Sequence, residues 1–241
     1  MTVFRKTYDA VVPFGQWCAV AMAMKRCGLR SASGPFDWMG GGRPIGSYVD
    51  MLTTNFAGFF LKENMKKLGD VPGEGTEHWK DTKLGWEIRH EFKAGVSFDE
   101  NYANFRAQLD RRGARLVARI GSGGRILLVH WRADGHYPLD EVAAAAKRVR
   151  EAYPSTEIDL LVIETEKFAK GVEYREAADG VVVAVGDFYD PARFHAVVGN
   201  EKLAISVLRR IHMRGRWRNL LRGKLVSILR RLCGSRKRSR A

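Results

Sequence analysis

The sequence predicts an α/β or α+β fold, and three observations carry that prediction. Residues 125–131 form a compact apolar run, residues 139–153 follow with helical spacing, and residues 158–164 form a second apolar run. Strand, helix, strand in that order implies a parallel βαβ unit. Near the N-terminus, Val11 and Val12 lead into Pro13-Phe14-Gly15 and then an alanine- and methionine-rich segment, which reads as strand, tight turn and helix. The chain is also long enough, at 241 residues with 45% hydrophobic content, to bury a substantial core.

The remaining elements follow from local periodicity. Between residues 44 and 68, Ile45, Tyr48, Leu52, Phe56, Phe59, Phe60 and Met65 recur at helical spacing and predict one helix with a broad apolar face. Its aromatics read as core. Residues 71–83 are polar and glycine-rich and read as a loop, and the alternation in residues 84–92 predicts a strand. Tyr102, Phe105, Leu109 and Leu116 predict a helix over residues 98–120, residues 181–185 a strand, and residues 191–213 a closing helix. The Cys18-bearing helix is expected to pack with a mixed sheet. Residues 1–200 form one domain in this reading, with residues 201–241 appended as a basic amphipathic helix.

The net charge of +14 resembles a nucleic-acid signal until it is divided along the chain. Residues 209–241 hold 13 Lys or Arg and no Asp or Glu, which leaves 28 basic and 27 acidic residues before them. The body is therefore almost neutral, and no specific nucleic-acid binding is expected of it. In the tail, Trp217, Leu221, Leu225, Ile228, Leu229 and Leu232 recur at helical spacing between arginines. An anionic membrane surface or an acidic polymer is the expected partner. Three widely spaced cysteines make no disulfide framework, and no apolar run is long enough to span a bilayer. The expected location is cytoplasmic, peripheral to the inner face of the membrane.

Cys18 is the thiol best placed for chemistry. On the first turn of a helix, unpaired N–H groups and the dipole favour a thiolate, so its pKa is expected to fall. Cys27 lies at the opposite end, before the C-cap glycine Gly28. At helical rise the two sulfurs stand about 13 Å apart, too far for a disulfide. A nucleophilic thiol needs a base and a group that orients it. Among the histidines His90 is the best candidate base, with His136 its competitor at the end of a parallel strand, where open sheets place ligands. His130, among apolar neighbours, reads as a core histidine. Asp99 and Asp187 are the candidate orienting carboxylates, and Gln16 a candidate oxyanion donor. No metal-ligand spacing, phosphate-binding glycine motif or serine-hydrolase motif is present, so no cofactor or metal is expected.

Residues 8–18, ending Pro13-Phe14-Gly15-Gln16-Trp17-Cys18, are followed by Lys25-Arg26-Cys27-Gly28-Leu29-Arg30 and Gly34-Pro35-Phe36-Asp37-Trp38. This block resembles a bacterial family of unknown function classed as papain-like cysteine peptidases, and Arg89-His90-Glu91-Phe92 resembles the family's later histidine segment. The resemblance extends weakly to about residue 190 and implies Cys18 as nucleophile, His90 as base, and a peptide or acyl substrate. Trp17, Asp37, Trp38 and His136 are the candidate substrate contacts, with Asp37 preferred as a buried anchor. The extended Cys-Gly-Ser-Cys-Trp run of true papains is absent. A second reading is a polysaccharide- or nucleotide-sugar-related protein with its pocket in the βαβ half.

Overall fold

The chain begins with a 3-10 turn at Thr2–Phe4 and a short strand β1 (Thr7–Tyr8) and continues through β2 (Ala10–Pro13), α1 (Trp17–Arg26), a second 3-10 turn at Pro35–Trp38, β3 (Met39–Gly40) and α2 (Ile45–Thr53). Next come β4 (Met65–Val71), β5 (Thr76–Asp81), β6 (Glu87–Lys93) and the long α3 (Phe98–Gly121). The second half contains β7 (Gly124–Arg132), α4 (Leu139–Ala152), β8 (Thr156–Thr165), β9 (Val172–Ala178), β10 (Val181–Gly186), α5 (Glu201–Arg209) and β11 (His212–Met213). This computed structural model describes residues 1–15, 17–132, 135–188 and 201–221.

A five-stranded sheet in the order β2-β7-β8-β10-β9 forms the centre, with β9 alone antiparallel. Alternate residues of its strands feed two apolar layers, as period-2 geometry requires. Leu128, Leu160, Val162 and Val183 face α2 and α4, whereas Val129, Leu161, Ile163 and Val182 face α1 and α5. Helices on both faces explain why β8 and β10 read as nearly continuous apolar runs rather than alternating ones. The β7-α4-β8 unit is parallel, with Val129 opposite Leu161, as the sequence predicts.

A second, antiparallel sheet in the order β3-β6-β5-β4 departs from expectation. The helix expected over residues 44–68 stops at Thr53, and Asn55, Phe56 and Phe60 adopt positive φ. This break turns the Phe56 ring onto α3 at Gly113, where an added Cβ would stand 2.8 Å from the ring. Burial of Phe56 and Phe60 outweighs the local left-handed strain. The segment read as a polar loop contains β5, whose inward positions are Glu77, Trp79 and Asp81. Its buried carboxylates hid the strand from a hydrophobicity pattern. Glu77 accepts from Trp79 Nε1 at 2.8 Å, while Asp81 accepts the amides of Phe60, Lys83 and Leu84.

Residues 191–200 of the expected closing helix lie outside the described residues, as do residues 222–241 of the basic tail, while α5 occupies Glu201–Arg209. Residues 216–221 are helical and dock on the end of α1. Arg216 Nε donates to the Cys27 carbonyl at 2.7 Å and Asn219 Nδ2 to the Gly28 carbonyl at 3.1 Å. Gly28, at φ +70, closes α1: its amide bonds Lys25 O at 3.1 Å and the Leu29 amide bonds Met24 O at 2.9 Å.

Candidate active site

β2 ends where the chain must turn sharply onto α1, and the turn is locked to the neighbouring strand. The Phe14 amide donates to Val129 O at 2.8 Å and the Trp131 amide to Gly15 O at 2.9 Å. Gly15 has φ +77, and a Cβ there would come within 2.1 Å of the Tyr48 ring, so only glycine fits. Trp17 is the first residue of α1 and Cys18 the second, which places the thiol in the first helical turn at the carboxyl end of the parallel sheet. Gln16 lies outside the described residues.

The partner element arrives through β3, which pairs Met39 with Ile88 and Gly40 with Glu87 of β6. Along β6, the buried Ile88 and Phe92 put His90 in phase with the core by strict alternation. Pairing with β5 changes this, because Ile88 opposes Trp79 and Phe92 opposes Glu77, so β6 takes four steps where β5 takes two. The resulting bulge aims His90 outward. Cys18, Trp38, Gly40, Glu87, Arg89 and His90 then line one cleft of about 20 Å³, room for roughly one water. Trp38 meets the imidazole edge-on, with ring centroids 5.3 Å apart.

His90 Nδ1 pairs with Glu74 Oε2 at 2.8 Å. Glu74 comes from the turn between β4 and β5 and was missed in the sequence. Its only signal there is an acidic residue in a glycine-rich stretch, and the β5–β6 pairing is what delivers it. Among the described residues no hydrogen bond joins the Cys18 thiol to the ring. Burial is the first cause pushing the Cys18 thiol above its ordinary pKa, its own backbone amide opposes, Glu74 raises it further and Arg89 lowers it. This reverses the expectation of a lowered value: desolvation outweighs the helix terminus, so the resting group is a thiol. Cys27 is free, buried and also pushed upward by burial, with Arg216 and Arg209 opposing.

The structure does not bring the other candidates to His90. Asp99 sits in the first turn of α3, 77% exposed, and pairs with Lys62 at 2.9 Å. Asp187 accepts the Phe168 amide at 3.2 Å. Asp37 is fully buried, accepts the Gly34 amide at 2.8 Å and pairs with Arg30, pinning the loop that precedes Trp38. Burial raises its pKa, with the Arg30 charge and the Gly34 amide opposing. His136 is near the ends of β7 and β8, with Nδ1 2.8 Å from the buried Glu164, which also accepts the Tyr137 amide. His130 is a core residue: Nδ1 lies 2.8 Å from Phe14 O and Nε2 3.2 Å from the Tyr137 hydroxyl. Among the described residues no group of three or more His, Cys, Asp or Glu is placed to hold a metal ion.

Fold and cleft together define an α/β protein in which a helix-start cysteine and a carboxylate-paired histidine face one small cavity. Residues 9–164 match the family described as "putative papain-like cysteine peptidase" (DUF1796), and the chain belongs to that family. The matched span covers β2 through β8 and so includes every residue lining the cleft. No curated protein and no solved structure matches the chain.

Proposed function

We propose that the chain is a thiol-dependent acyl hydrolase of the cysteine-peptidase type, with Cys18 as nucleophile, His90 as general base and Glu74 orienting the ring. The observation that carries the reading is the shared cleft of Cys18 on α1 and His90 on β6, which are far apart in sequence. A proton on Nδ1, donated to Glu74, leaves Nε2 with its lone pair free to act as base. The Cys18 proton passes to Nε2 as sulfur attacks the substrate carbonyl carbon, and the imidazolium then protonates the leaving group. A water, deprotonated by the same ring, resolves the thioester and regenerates the thiol. Because burial favours the neutral thiol, proton transfer accompanies attack rather than preceding it. The narrow cleft admits a substrate acyl group only after Trp38 or the β6 side chains shift.

The test is a pre-steady-state burst with a nitrophenyl ester, with the acyl group located by peptide mass spectrometry. Acylation of Cys18 is expected, absent in Cys18→Ala, slowed about 100-fold or more in His90→Ala and about tenfold in Glu74→Gln. Acylation at another residue, or an undiminished burst in His90→Ala, would overturn the reading.

A further inference from the structure

On the free edge of β2, away from the Cys18 cleft, lies a cavity of about 410 Å³, a size suited to a small ligand. β2 forms its floor, and its walls come from the loop at residues 30–34, from α3, and from residues 213–219. Six guanidinium groups converge on it: Arg30, Arg112, Arg115, Arg119, Arg214 and Arg218.

Three of these charges are balanced. Arg30 pairs with Asp37, Arg112 with Glu91 at 2.8 Å, and Arg214 with Asp9 at 2.9 Å. The other three form no ion pair among the described residues, although the Arg119 charge helps to lower the pKa of Asp9, which also lines the cavity. Arg115 donates to the Ser33 carbonyl, Arg119 Nη1 donates to Ser122 Oγ at 3.1 Å, and Arg218 lies over the Trp217 ring. Arg112, Arg115 and Arg119 recur at steps of three and four along α3, so they form one stripe of like charge, an arrangement that destabilises a helix when nothing compensates it. The tail does not compensate it either, because residues 222–241 carry Lys and Arg but no acid. Among the described residues no aromatic side chain lines the cavity, which removes base stacking as a mode of recognition.

We propose that this cavity binds a ligand bearing adjacent phosphate groups, held by Arg115, Arg119 and Arg218. Three guanidinium groups without an ion-pair partner match the roughly three negative charges of a diphosphate, and their planar forks suit its oxygens. The inference is independent of the thiol chemistry.

The test is calorimetric titration of the full chain with inorganic pyrophosphate at about 0.15 M salt, where weak surface attraction is screened. Saturable one-to-one binding is expected. It should weaken tenfold or more in Arg115→Ala/Arg119→Ala and, independently, in Arg218→Ala, while Arg236→Ala/Arg238→Ala binds as the parent does. An unchanged rate of Cys18 alkylation shows that each variant is folded. Nucleoside diphosphates form a second arm: tighter binding than pyrophosphate assigns a nucleotide-borne diphosphate, and equal binding a free one. Absence of saturable binding, loss confined to the tail variant, or citrate binding as tightly as pyrophosphate would overturn the proposal.

Discussion

His130 shows how far burial alone can set the chemistry of a residue. Fully buried, it has a pKa pushed down to about 4, chiefly by desolvation, with the Phe14 carbonyl opposing and the Arg132 charge adding to the fall. The unfolded chain takes up this proton near pH 6.5, whereas the folded state resists until about pH 4. The group's contribution is therefore complete above about pH 6.5 and is lost as pH falls towards 4, by about 3 kcal/mol in all. Urea midpoints at pH 7 and 4.5 should show a smaller acid loss in His130→Gln than in the parent. An identical loss in both would mean that the residue titrates normally. The same force decides Cys18, whose thiol rises although it stands at a helix start. Asp37 feels the same penalty, and the Arg30 charge offsets it only in part, so removing Arg30 would leave a buried carboxylate without its partner.

Among the elements, the turn from β2 to α1 is the most constrained. Gly15 combines positive φ with contact against the buried Tyr48 ring, so a methyl group meets both backbone strain and a clash. Gly15→Ala should cost about 2–4 kcal/mol in urea denaturation and slow modification of Cys18, since the helix start shifts with the turn. A cost below about 0.5 kcal/mol would show that the turn relaxes freely. Much of this element was legible: Pro13-Phe14-Gly15 announces the break, and Gly28 announces the end of α1. Two neighbours were not. The bulge in β6 leaves no mark on the apolar pattern, because it arises from a mismatch in step between two paired strands. β5 carries its inward charges as satisfied partners of Trp79, Lys67 and backbone amides, so polarity there does not signal a loop.

For the whole molecule, the division into a nearly neutral body and a basic end sets the expected behaviour at surfaces. Trp217 is 60% exposed and Leu221 50%, one helical turn apart, while Arg216, Asn219 and Leu220 face the end of α1. Among the described residues no helix is long and apolar enough to cross a membrane. We propose that this exposed pair lies on anionic lipid. Sedimentation with vesicles containing phosphatidylserine should retain the chain, with retention falling at high salt and in Trp217→Ala/Leu221→Ala. Equal retention on neutral vesicles, or none on either kind, would sink the idea.

The sequence by itself determined the α/β class, the βαβ unit, the turn that presents Cys18 and the family to which the chain belongs. Each of these follows from local periodicity, a glycine or proline at a forced backbone angle, or a contiguous motif. Only the tertiary structure decided that Glu74 rather than Asp99 or Asp187 meets His90, that the thiol is desolvated, and that six arginines from three segments surround one cavity. Those facts depend on strand register and on which surfaces are removed from water. Both are settled when distant segments pack, and neither leaves a trace in the order of residues along one segment.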